Sequence, residues 1–475
     1  MYKIVLAYPM NIHVFTQNKL KPLALLLLLC STAFAQKNKS YPASSFPDRV
    51  ILGFKGDPAY TQAVNWRTDS TITNAIAAIH EGDASPDFQS NATIVKAFSQ
   101  KVTLDGHQVI FHEVNFTDLK PATKYVYRVG DGAFWSEWFQ FTTASDQNEP
   151  VSILYFGDAQ NDIRSMWSRA IRGAYSKMPK ADLIIHAGDL VNHSYTDSEW
   201  GEWFEAGGWV NGMVANLPST GNHEYVNDGT EIRKLSSHWR PQFALPENGP
   251  EGLKETAYYL DYQGIRFISF DTEAGLQDSA VMNKQLVWLE KVLKDNTNRW
   301  TVVTHHHPVL SSNNSRKSDD WRKKLDGLYR KYKVDIALQG HEHTYARGVN
   351  IPLGQNRKRP DGPVYVISVS GPKMSGLIPQ DWMDRAAVNT QLYQTITISE
   401  DKLSYQAYTV SGALYDAFDL NKNKKGINQL VDLSSRIKAP ERAEIPERMK
   451  KGLKEEQLKE YNERFKAYKK RKGIE

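Results

Sequence analysis

The chain has 475 residues, a length that suits two or three domains. Its 40% hydrophobic and 24% charged residues, with 21 Pro and 30 Gly, exclude a disordered, collagen-like or coiled-coil chain, and its single Cys excludes an internal disulfide framework or thiolate metal cluster. Of the formal charge of +5, residues 1–35 carry +3 and residues 441–475 carry +4, leaving the body at −2, so the basic balance does not argue for nucleic acid as a partner.

At the N-terminus, Lys19 and Lys21 precede an apolar run over 23–29, and Ala33-Phe34-Ala35 supplies an A-x-A cleavage site. The expectation is a signal peptide over 1–35, cleaved after Ala35, with an apolar stretch too short for a membrane span. Cys30 lies inside it, so the mature chain would have no cysteine. Export without disulfides suits a secreted or periplasmic bacterial protein.

From 47 to 145 the pattern is all-β. Val64 and Trp66 alternate with polar neighbours, 112–116 alternates likewise, and further strands are expected at 125–129 and 138–142. Short strands between turn signals over roughly 100 residues indicate a β-sandwich. The turn Leu119-x-Pro121-x-Thr123-x-Tyr125 resembles the tyrosine corner of fibronectin type III modules. A polar linker follows at 146–150. From 150 to 410, apolar runs at 152–156, 183–185, 266–270, 300–303, 334–338 and 364–369 alternate with helical stretches at 163–176, 198–216 and 283–293. That alternation predicts an α/β sandwich with both faces of its sheets covered. The segment 440–475 is charge-dense, with Leu458, Tyr461, Phe465 and Tyr468 at 3-4-3 spacing, and predicts an amphipathic helix docked on a neighbouring domain. Its mixed acids and bases disfavour a membrane surface.

Four of the α/β strands run into short polar clusters: Gly157-Asp158, Gly188-Asp189, His305-His306-His307-Pro308 and Gly340-His341-Glu342-His343. A fifth, Gly221-Asn222-His223-Glu224, follows Leu217-Pro218, which reads as a turn. Ligands of α/β sheets bind beyond the carboxyl ends of the strands. Asp, Asn and His converging there are metal ligands by chemical type and, without sulfur, suit first-row divalent or trivalent ions such as Fe, Zn or Mn. A glycine before Asp158, Asp189, Asn222 and His341 lets backbone turn sharply and approach a ligand closely.

In order, these blocks resemble the calcineurin-like metallophosphoesterases, and the N-terminal sandwich makes the chain similar to the purple acid phosphatases. The resemblance spans about 47–410 and implies a fibronectin type III-like sandwich followed by a four-layer α/β metallophosphatase sandwich. It implies two metal ions, the first held by Asp158, Asp189 and His343, the second by Asp189, Asn222, His306 and His341. Asp189 would bridge them, water activated by the metals would attack phosphorus, and His223 would stabilise the phosphoryl charge or protonate the leaving oxygen.

Two departures from the family pattern stand out. The purple enzymes carry Gly-Asp-x-x-Tyr, whereas this chain has Asn192 at the tyrosine position; and this chain has Asp158-Ala159-Gln160 where many relatives carry Asp-x-His or Asp-x-Gly. Gln160 or Asn192 is thus either a first-metal ligand through its amide oxygen or a hydrogen-bonding neighbour. The His-x-Pro match favours His306, with His305 as the alternative register or a substrate contact, and Arg316 sits in a loop where relatives contact substrate. The expected activity is phosphate-monoester hydrolysis; a phosphodiesterase for nucleotides or phospholipid head groups and a non-catalytic binding protein are the competing readings. The expected partner is a phosphate-ester substrate, and the sequence specifies no oligomeric state.

Overall fold

The computed structural model describes residues 39–312, 320–351 and 355–473. The segment 1–35, where a leader is expected, and Arg316 lie outside the described residues. Tyr41 onward forms one compact unit.

The sandwich is built from two four-stranded antiparallel sheets. One has the order Asp48–Gly53, Gln62–Asp69, His107–Phe116, Phe98–Leu104; the other runs Thr93–Lys96, Ile76–Glu81, Lys124–Gly130, Phe139–Thr142. Val64 and Trp66 face its core beside Tyr127 and Phe141, as period-2 alternation requires. At the tyrosine corner, the Tyr125 hydroxyl accepts from the Lys120 N–H at 2.9 Å.

Two seven-stranded mixed sheets make the larger domain. The first takes the order Ala215–Ser219, Leu183–Ala187, Val151–Phe156, Leu392–Ile398, Lys402–Thr409, Leu414–Lys422, Asn428–Asp432. The second runs Tyr258–Tyr262, Ile265–Ser269, Trp300–Thr304, Ile336–Gln339, Val364–Ile367, Tyr345–Val349, Met383–Ala387. Alternation along the second sheet divides its side chains between two cores. Phe267, Val302, Ile336 and Leu338 join the first sheet's residues, while Ile268, Val303 and Ala337 pack under the helices Ser279–Lys294 and Asp320–Lys331. Both faces are therefore dry, which is why these strands read as continuous apolar runs.

Three local expectations are corrected. Leu217-Pro218 is not a turn: it lies within Ala215–Ser219, the edge strand of the first sheet, where a residue without an N–H is tolerated. The helix expected over 198–216 ends at Gly207, because Gly208 turns with φ 52° and the chain then enters that strand. The first sheet also continues past 410 to Asp432. Its late strands look polar because they bury paired charges: Asp416 holds Arg347 at 2.7 and 2.9 Å, and Lys422 holds Asp335 at 2.6 Å.

The C-terminal helix Glu455–Lys472 buries Tyr461 and Tyr468 in the second core, beside Leu377, Trp382 and Met383. Arg471 pairs with Asp381 and Lys472 with Glu441, so the charged face also grips the domain.

Candidate metal centre

The parallel strands of both sheets deliver their following loops to one place. Asp158, Asp189, Asn222, His306, His341 and His343 each come within a few residues of a strand end. Asp158, Asp189, His341 and His343 have φ of 43°, 53°, 74° and 50°. Left-handed backbone at non-glycine residues costs about 1–3 kcal/mol each and collects at functional sites, where the surrounding structure enforces it. Gly221 is required by crowding: a Cβ there would stand 2.2 Å from Asp189 Oδ1 and 2.9 Å from His306 Nδ1.

One donor group comprises Asp189, His306 and His341, with Asn222 beside them. His306 Nδ1 faces the Ala187 carbonyl at 2.8 Å and so carries the proton, which leaves a lone pair on Nε2. That nitrogen lies 3.1 Å from each of Asp189 Oδ2, Asn222 Oδ1 and His341 Nδ1. An octahedron with bonds of about 2.1 Å has edges of about 3.0 Å, so the spacing fits ligand atoms around one ion. Acceptor-type atoms gathered in this way suit a shared cation. Burial lowers the metal-free His306 imidazole, but the charge and hydrogen bond of Asp189, with Asp158 behind, push it up to about 9.

A second donor group comprises Asp158, Asp189 and His343, with His343 Nε2 3.6 Å from Asp158 Oδ1. Asp189 belongs to both groups, the place of a bridging carboxylate. Asp158 is 1% exposed, and burial, reinforced by the Asp189 charge against the opposing pull of His306, drives its carboxyl well above the usual carboxylate range. Two desolvated carboxylates side by side are a poor metal-free arrangement and a good one for two cations.

Neighbouring groups fix these ligands. The His341 N–H donates to both Asp158 oxygens at 2.9 and 2.8 Å, and the His223 N–H donates to Asp189 Oδ1 at 2.9 Å. Buried Glu224 accepts from the N–H groups of Asp189, Leu190 and Gly221 at 2.9, 2.8 and 2.6 Å, tying two ligand loops together. His307 packs against His341 with ring centres 4.1 Å apart and planes tilted by 51°, and meets Thr272 Oγ1 at 2.9 Å, a support that sequence reading did not single out.

The other sequence-predicted residues separate clearly. The His223 side chain is 24% exposed; its Nδ1 donates to the Asn192 carbonyl at 2.6 Å, and its Nε2 stands 3.9 Å from Asp189 Oδ2. It therefore borders the donor groups with its Nε2 turned toward them. The Asn192 side chain instead meets the His193 ring at 3.0 Å, so this residue serves the site through its backbone carbonyl. Gln160 is fully buried at the centre, its Nε2 at 2.9 Å from Asp189 Oδ2 and 3.1 Å from His343 Nε2. His305 does not reach the site: it is fully buried, bonds the His307 carbonyl at 2.8 Å and packs near Tyr329, because strand alternation turns it away from His306. Sequence reading passed over Lys373, whose Nζ lies 3.1 Å from Gln160 Oε1 and 3.4 Å from His223 Nε2. The available signal was a Gly-Pro-Lys cluster just past the strand run at 364–369, the same position that the metal-binding blocks take after theirs.

Comparison with known proteins follows this geometry. Residues 47–143 match the family described as purple acid phosphatase, N-terminal domain, and residues 151–345 match calcineurin-like phosphoesterase. Acid phosphatase type 7 of Mus musculus is 28% identical over 377 residues, covering 72% of this chain and 82% of that protein. A probable purple acid phosphatase 20 of Arabidopsis thaliana is 25% identical over 348 residues, covering 70% and 76%. The solved purple acid phosphatase from yellow lupin (Lupinus luteus) seeds superposes with a TM-score of 0.67 at 19% identity, over 82% of this chain and 76% of that one, a likeness of fold.

Proposed function

We propose, for a chain that is a calcineurin-like metallophosphoesterase related to the purple acid phosphatases, that it is an exported hydrolase of phosphate monoesters. Its ground is the chain's character as a metal-dependent phosphoesterase with a candidate dinuclear centre. Asp189 shared by two donor groups is the observation that carries it. The acid phosphatases among its relatives support monoesters as the substrate class, and the leader expected at 1–35 supports export.

In this reading Asp158, Asp189 and His343 hold one ion, and Asp189, Asn222, His306 and His341 hold the other. Two bound cations supply water activation and neutralisation of phosphoryl charge. The chain's own residues do the rest. The backbone N–H groups of His341 and His223 orient the two carboxylates. The Asn192 carbonyl holds one proton of His223 on Nδ1 and turns Nε2 toward the phosphoryl group; only the imidazolium form, protonated at Nε2 as well, can give a proton to the leaving oxygen. Elemental analysis of protein purified without chelators should approach two metal equivalents, with turnover of p-nitrophenyl phosphate exceeding that of bis(p-nitrophenyl) phosphate. Full activity at one equivalent sinks the dinuclear reading, and a diester preference sinks the substrate class.

A further inference from the structure

The segment after the strand Val364–Ile367 is laid directly on the ligand loops. The Ser370 and Gly371 N–H groups donate to the carbonyls of Gly157 and Asp158 at 2.7 and 2.8 Å, and the Ser375 N–H donates to the His343 carbonyl at 3.1 Å. A Cβ on Gly371 would stand 2.6 to 2.8 Å from the carbonyl oxygens of Asp158, Gln160 and Ala159, so only glycine permits this approach. Lys373 is thereby carried on a pinned backbone, with its ammonium between Gln160 Oε1 and His223 Nε2. Among the described residues, no carboxylate pairs with it. Its charge acts on Asp158 from beyond ion-pair distance, but its direct acceptors are neutral, so the half-buried ammonium can still meet an anionic ligand.

We propose that Lys373 binds a non-bridging oxygen of the substrate phosphoryl group and, through its charge, favours the dianion of a monoester over the monoanion of a diester. This rests on the phosphoesterase reading and adds the residue that sets its substrate class. The same contact orients Gln160. Lys373 takes the amide oxygen, so the amide N–H group faces Asp189 and His343; flipping the amide would set N–H against ammonium. Gln160 in this orientation serves as a donor to Asp189 and holds the lysine in place.

The test is Lys373→Met, which keeps the length of the side chain and removes the charge, alongside Lys373→Arg in the metal-loaded full chain. Three quantities are compared with the wild type: bound metal, inorganic phosphate affinity by calorimetry, and kcat/KM for p-nitrophenyl phosphate and its bis ester. Expected for Lys373→Met are unchanged metal content and monoester kcat/KM lower by about 10- to 100-fold. Phosphate binding should weaken on a similar scale, and diester turnover should fall several-fold less. Lys373→Arg should recover much of the loss. Equal losses on both esters, unchanged phosphate affinity, or loss of metal each overturn the proposal. If the wild type cleaves neither ester, the phosphoesterase reading fails on its own, and the phosphate titration still decides the lysine. If Lys373→Met does not fold, Lys373→Gln takes its place with the same expectations.

Discussion

Replacing Asp197 tests what fastens the sandwich to the larger domain. Asp197 opens the helix Asp197–Gly207, while Arg49 and Arg67 come from the paired sandwich strands Asp48–Gly53 and Gln62–Asp69. Its carboxylate takes two Arg49 nitrogens at 2.8 and 2.9 Å and one Arg67 nitrogen at 2.8 Å, with His238 Nε2 at 3.5 Å. The two arginine side chains are 2% and 1% exposed. In Asp197→Ala, Arg67 keeps Asp48 at 2.6 and 2.9 Å. Arg49 keeps only neutral acceptors, Gln242 Oε1 at 3.0 Å and the carbonyl of residue 197 at 3.1 Å. One buried charge is orphaned, and the expected loss is about 3–5 kcal/mol. Urea unfolding of the full chain reads it, and the double replacement Arg49→Met with Asp197→Leu should recover most of it. A loss below about 1 kcal/mol, the range of an exposed pair, refutes the reasoning. The pH dependence has a definite sign. Burial pushes the Asp197 carboxyl up, but the nearby His238 and the charges of Arg49 and Arg67 outweigh it and hold the group well below the usual range. The stabilisation is then complete above the unfolded value of about 3.9 and is lost as pH falls through the lower folded value. The fastening therefore survives mildly acid pH.

Much of the architecture was legible because burial writes itself into period. Strands covered on both faces by apolar neighbours read as continuous apolar runs, as at 152–156 and 300–303, whereas Gln62–Asp69 alternates at Val64 and Trp66 because its other, equally buried face bonds the larger domain through Asn65 and Arg67. The six metal-site candidates were legible because strand ends converge in α/β sheets, so polar residues just past apolar runs meet in space. What escaped depended on partners remote in sequence. Asp416 and Lys422 look like loop residues until Arg347 and Asp335 are seen to neutralise them inside the sheet. Pro218 looks like a turn unless its strand is known to be an edge. Lys373 is one loop lysine among many until Gly371 is found pressed against the Asp158 loop. Gln160 was left between two roles because the orientation of its amide is set by that same lysine.

Three further outcomes follow from the site. Asp189→Ala and Asn222→Ala should lose metal and with it activity, whereas His223→Ala should keep metal and turn over about 100-fold or more slowly; a metal-free His223→Ala protein contradicts its placement beside the ions. Chelation should lower the unfolding temperature, since it returns a desolvated carboxylate pair to mutual repulsion, and re-addition of metal should restore it; an unchanged temperature means that the ions do not contribute to the fold. The last outcome concerns colour. A purple band needs a phenolate on ferric iron, and the family's tyrosine position is Asn192, whose amide is engaged with His193. Two tyrosines lie near enough in sequence to replace it. Tyr225 donates its hydroxyl to Asp271 at 2.5 Å, and burial together with the Asp271 charge holds its phenol well above the usual range, against ionisation. Tyr195 is 57% exposed and leans on the His193 ring. With one less anionic ligand the first site compensates less of a trivalent charge, and two divalent ions suit it better. Iron-loaded protein should therefore lack the strong visible band and keep its activity in mild reductant; a band that vanishes in Tyr195→Phe or Tyr225→Phe would put a phenolate on the metal and overturn this account.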